Sequence, residues 1–100
     1  MVKHIVMWKL KDETKHGTKA EVALRVKQML EGLMGKVPSL RHIEVTDQIF
    51  AAEPACDLML YSEFDSREGL DAYQVHPEHQ AVVAFVREVV TERRVLDYEI

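Results

Sequence analysis

The sequence predicts an α+β protein with the ferredoxin-like βαββαβ order, in which helices cover one face of an antiparallel sheet. Three observations carry that expectation. Two strongly apolar strand-like runs, "HIVMWKL" and "CDLMLYSEF", are separated by a helical segment and a half-apolar strand, and a helix pair and a last strand follow them. A chain of 100 residues is one domain, here 1–100, with room for a modest core. Hydrophobic residues at 47% and charged residues at 30%, with only four glycines, are the composition of a folded chain and not of a disordered one.

"HIVMWKL" gives a first strand over residues 2–10, with His4, Val6, Trp8 and Leu10 on one face and Ile5, Met7 and Lys9 on the other. Its weak alternation predicts burial on both faces. The stretch "TKHGTKAEVALRVKQMLEGLMGKVP" reads as a helix, because Thr18 and Glu21 have capping-box spacing and Gly35 with Pro38 supplies a stop. Ala23, Val26, Leu30, Leu33, Met34 and Val37 form its apolar face, with Met29 and Met34 as core filling.

"LRHIEVTDQI" alternates, with Ile43, Val45 and Ile49 on one side and His42, Glu44, Thr46 and Gln48 on the other, which predicts a half-exposed strand. "FAAEPA" is turn-like, and "CDLMLYSEF" is the next strand. "DSREGLDAYQV" opens a helix with Asp65 or Ser66 as N-cap. His76 precedes a proline and is biased out of the helical region, so Pro77 begins a second helix through "EHQAVVAFVREVV". "RRVLDYEI" closes the chain as a charged edge strand, with Asp97 and Tyr98 on opposite faces.

Strand order 4-1-3-2 puts the two most apolar strands, the first and third, in the centre of the sheet. Ile5 and Met7 then lie on the face without helices and need a cover. A second copy of the same sheet is the simplest one, which predicts a homodimer in the form of a dimeric α/β barrel.

The formal net charge is -4 and the basic residues are scattered, so neither a nucleic-acid footprint nor an anionic-membrane anchor is expected. The opening apolar run is broken by Lys3, Lys9 and Lys11 and lacks the length of a signal segment or membrane span. A single cysteine, Cys56, forms no internal disulfide and agrees with a reducing, cytoplasmic location.

The stretch with the most chemistry is "YQVHPEHQ", Tyr73–Gln80. His76 and His79 have the spacing of a metal pair, but a site needs a third ligand, and neither HExxH nor a cysteine cluster is present. Neither metal nor cofactor is predicted. His76 sits where the chain turns into the next helix, which makes it a cap with a ring nitrogen on nearby backbone. His79 lies one turn further on, where the positive end of the helix dipole favours a neutral, base-competent imidazole. Tyr73 can face the same crevice, as a donor to a developing oxyanion. His4, on an apolar strand face, reads by itself as a satisfied core residue. His16 and His42 read as solvent-exposed.

The opening "VKHIVMWKLKDE", the central "DLMLYSEFDSREGLDAYQVHPEHQAV" and the closing "RRVLDYE" together resemble the Dabb family, the stress-responsive A/B barrel domain proteins, over almost the whole chain. The resemblance implies the ferredoxin-like fold and its dimeric barrel. It implies no single activity. Many bacterial members have no assigned function, and plant members include boiling-stable stress proteins and the polyketide cyclase olivetolic acid cyclase. In that cyclase a tyrosine and the second histidine of Y-x-x-H-P-x-H, with a histidine on the first strand, line the reaction cavity. The resemblance carries those roles to Tyr73, His79 and His4. Where the cyclase has a tyrosine on its first helix, this chain has Leu30.

The expectation is therefore a small-molecule pocket between sheet and helices. Its chemistry is cyclase-like on a polyketide or keto substrate, with His79 removing a proton alpha to a carbonyl, Tyr73 bonding the enolate oxygen and His4 orienting the substrate. Two other readings stay open. One is a non-catalytic stress-response or ligand-binding protein in which these residues hold the helix junction. The other is a relative of the dimeric α/β barrel monooxygenases, by analogy of fold.

Overall fold

Strand β1 (Val2–Leu10) separates its residues by parity. Val2, His4, Val6, Trp8 and Leu10 face the helices and are buried, whereas Ile5 and Met7 on the other face are only half-buried. Burial on both faces, predicted from the weak alternation, is thus not reached within one chain of the computed structural model, which describes residues 1–100.

A two-residue hairpin absent from the sequence expectation, β2 (Glu13–Thr14) with β3 (Gly17–Thr18), leads into the first helix. Gly17 makes its turn at φ 124, where a glycine meets no Cβ clash. Helix α1 (Lys19–Glu31) then starts on the predicted capping box: the Thr18 hydroxyl accepts the Glu21 N–H while the Glu21 carboxylate accepts the Thr18 N–H. The helix ends at Gly32, earlier than the predicted stop. Turns around Gly35, at φ 89, carry Leu33 and Val37 back into the core but leave Met34 48% exposed, so Met34 is not core filling.

Strand β4 (Leu40–Thr46) shifts register between Leu40 and His42, and this bulge brings Leu40 and Ile43, residues of opposite parity, to the same buried side. Strand β5 (Leu58–Phe64) buries Leu58, Leu60, Ser62 and Phe64. Helix α2 (Arg67–Val75) is capped by Ser66, whose hydroxyl accepts the Gly69 N–H, and helix α3 (Pro77–Val89) passes directly into β6 (Val90–Glu99).

The sheet order is β4-β5-β1-β6, all antiparallel, which is the predicted order. The fold is ferredoxin-like. Helices α1 and α3 pack Val22, Val26, Leu30, Val82, Val86 and Val89 on the buried side of β1 and β5. β6 stays exposed along nearly its whole length, including Val95, Leu96 and Tyr98. No helix is long and apolar enough to cross a membrane.

Candidate functional site

The site is assembled by the break between α2 and α3. His76 ends α2 with its N–H on the Tyr73 carbonyl at 3.2 Å, and its Nδ1 accepts the Glu78 N–H at 3.1 Å, which starts α3. That is the cap expected of it. With Pro77 at the first helical position, the extended backbone of His76 re-aims the chain so that His79 comes back over Tyr73. Their rings lie 4.2 Å apart between centroids, tilted by 38°.

His79 is half-buried, and its Nδ1 stands 3.2 Å from the Gln74 carbonyl. A carbonyl only accepts, so Nδ1 carries the proton and the neutral ring keeps a free lone pair on Nε2. Burial pushes the imidazole below its ordinary pKa, and the nearby His4, Arg93 and His76 push it the same way against the Gln74 bond. The two histidines with metal-pair spacing thus have different work: His76 holds a helix N-terminus and His79 borders the cavity.

Tyr73 is 1% exposed and packs between Phe64, at 5.0 Å between centroids, and His79. Burial raises its pKa far above that of a free phenol, so the hydroxyl is a neutral donor at physiological pH. His4, buried on β1, meets Tyr73 edge-on with centroids 6.3 Å apart. Its Nδ1 is hydrogen-bonded to the carboxylate of Asp97, which lies directly opposite on β6. A carboxylate accepts, so Nδ1–H points to Asp97 and Nε2 is left without a partner in that bond. A buried histidine satisfied by its neighbour is what the strand pattern predicts, and it borders the cavity as well.

His4, Tyr73 and His79 line one cavity of about 370 Å³ between the helices and the β1/β6 side of the sheet. Val6, Leu60, Val82 and Val86 make its apolar walls, and Leu30 of α1 closes it with no polar group. Sequence reasoning missed Asp97, Trp8, Arg87 and Arg93. Asp97 read as part of a solvated edge, and only the register of β1 against β6 pairs it with His4 and pairs Arg93 with Trp8. His42 is exposed as expected, whereas His16 packs its ring on Phe85 at 4.8 Å and is shielded.

Comparison with known proteins agrees with this architecture. An uncharacterized protein of Streptomyces coelicolor is 33% identical over 99 residues, which span 99% of each chain. A dimeric protein of unknown function and ferredoxin-like fold from Bacteroides fragilis is 34% identical, with a TM-score of 0.77 over 99% of this chain and 95% of that one. A hydroxynitrile lyase from Passiflora edulis, 16% identical, is similar in fold alone, with a TM-score of 0.82 over 99% of this chain and 92% of its own. The model of the stress responsive A/B barrel domain, Dabb, matches residues 2–100, and the chain belongs to that family.

Proposed function

We propose that the cavity is an acid–base site that acts, cyclase-like, on a polyketide or keto compound. His79 Nε2 removes a proton from the carbon alpha to a carbonyl. Tyr73 donates its hydroxyl hydrogen bond to the oxygen on which the enolate charge develops, and His4, held by Asp97, orients the substrate.

The observation that supports this reading is the stacked pair of Tyr73 and His79 at the cavity wall, with Nδ1 of His79 committed to Gln74. It leaves a neutral base and a neutral donor side by side, which enolate formation requires. The protein works as a homodimer closed over the open sheet face, where Ile5, Met7, Met59 and Tyr61 are half-buried. The related Bacteroides fragilis protein is itself described as dimeric.

The test is hydrogen exchange at carbon, which needs no knowledge of the natural substrate. A medium-chain 1,3-diketone such as nonane-2,4-dione is incubated in D₂O, and loss of the C3 proton signal is followed by NMR with and without protein. The wild type accelerates exchange. His79→Ala lowers the acceleration by about 10²-fold or more, and Tyr73→Phe by a comparable factor of about 10², with unchanged circular dichroism in both. Exchange in His79→Ala equal to that of the wild type sinks the mechanism and leaves a binding role for the cavity.

A further inference from the structure

The loop between β4 and β5, residues 47–57, is less polar than a surface connection ordinarily is. Ile49, Phe50, Ala51 and Ala52 are four consecutive apolar residues, and none of them is buried. A run of that kind is unfavourable in water unless something covers it. Ile49 is half-buried and lines a hollow with Leu10, Ala20 and Ala23 of its own chain, whereas the side chain of Phe50 is fully exposed. The loop is nevertheless tied at both ends. The Asp57 N–H donates to the Trp8 carbonyl at 2.8 Å, the Asp57 carboxylate accepts the Leu10 N–H at 2.8 Å, and the Gln48 N–H donates to the Thr46 hydroxyl at 3.0 Å.

Beside Phe50 the same loop leaves a notch of about 270 Å³ between itself and the sheet. Ala51, Ala52, Pro54, Ala55 and Cys56 line it from the loop, and Met7 lines it from β1. Glu92 and Arg94, a pair 3.9 Å apart, border it from β6. Met7 belongs to the face of the sheet without helices, in the strip that includes Ile5, Met59 and Tyr61. An exposed apolar knob, a small-residue notch with a charged border and the apolar strip therefore form one continuous surface. An aromatic anchor, a pocket to receive it and a polar rim are the usual parts of a protein interface.

We propose that in the homodimer Phe50 of each protomer enters the loop notch of its partner. The inference rests on the proposed association over the open sheet face and names what clasps one end of it. A two-fold interface brings the same patch of both copies together, so it needs knob and hole side by side on one surface. This loop supplies both, which is why a second copy fits it and an unrelated partner is not required. Because the loop is already held by Asp57 and Gln48, little ordering cost is added when Phe50 docks.

Sedimentation over a dilution series gives the dimer dissociation constant of the whole chain. Phe50→Ala is expected to raise that constant by about thirtyfold or more, with an unchanged circular dichroism spectrum. The seat of the ring is read separately, by cross-linking. Cys56 is the single cysteine and lines the notch. Phe50→Cys/Cys56→Ser mixed with wild type and oxidised with copper–phenanthroline should give a covalent dimer on a non-reducing gel, while the double variant alone should not. An unchanged dissociation constant in Phe50→Ala overturns the anchor and leaves the sheet-face dimer intact. No covalent dimer in the mixture, or an equal yield from the double variant alone, overturns the notch as the seat of Phe50. A wild type that sediments as a monomer throughout overturns the anchor and the homodimer together.

Discussion

At the scale of single residues, one bond decides what His79 can do. The Gln74 carbonyl fixes the proton on Nδ1, and burial holds the ring neutral. Because the folded-state pKa lies below the unfolded value of about 6.5, the unfolded chain binds more protons in the window between the two. Stability is therefore present above that window and falls as pH drops through it. Thermal melts between about pH 8 and about pH 5 should show the wild type losing stability relative to His79→Gln on the acid side. Parallel curves would contradict a buried, neutral His79. The proposed carbon-exchange activity is expected to follow the same ionisation, with an acid limb below about pH 6.5. That Tyr73, His79 and His4 line one cavity was legible only through the resemblance, since His4 by its own pattern reads as a core residue. Asp97 was not, because which carboxylate reaches His4 depends on a strand register that no local pattern encodes.

At the scale of elements, the helix starts carry the design and were readable. Thr18 and Glu21 close the capping box, and His76 with Pro77 launches α3. Thr18→Ala should cost about 1 kcal/mol in urea denaturation and leave ligand affinity unchanged, since Thr18 is remote from the cavity. His76→Ala should cost a similar amount, about 1 kcal/mol, and in addition disturb the His79 ring resonances, because the same residue aims the helix that bears His79. His76→Asn, which keeps an acceptor at the N-cap, should restore both. Loss of stability with His79 resonances unmoved would limit His76 to capping alone. Helix ends were less legible than starts. Gly35 and Pro38 are both plausible stops, yet the chain leaves the helix at Gly32 and reaches its core contacts at Leu33 and Val37 through turns.

At the scale of the whole molecule, the sheet has one face under helices and one without. Ile5, Met7, Met59 and Tyr61 lie on the second face, beside the exposed Leu96 and Tyr98 of β6. Such an apolar strip is costly in water, and covering it by association is the proposed arrangement. Met7→Glu is expected to shift the sedimentation coefficient from a dimer value to a monomer value, because it places charges in register across a two-fold interface. A dimer retained by that variant would move the interface elsewhere on the molecule. What the sequence determined by itself, apart from the β2–β3 hairpin, was the order of the elements and the position of the helix break. These follow from apolar periodicity, capping residues and a proline, all local in the chain. Only the tertiary structure decided that β1 is fully buried on one face and half-buried on the other within a single chain, that Asp97 belongs to His4, and that Trp8, Arg87 and Arg93 share a cavity with Tyr73 and His79. Those are matters of register, bulges and helix placement, and they bring together residues distant in sequence whose encounter is set by packing rather than by pattern.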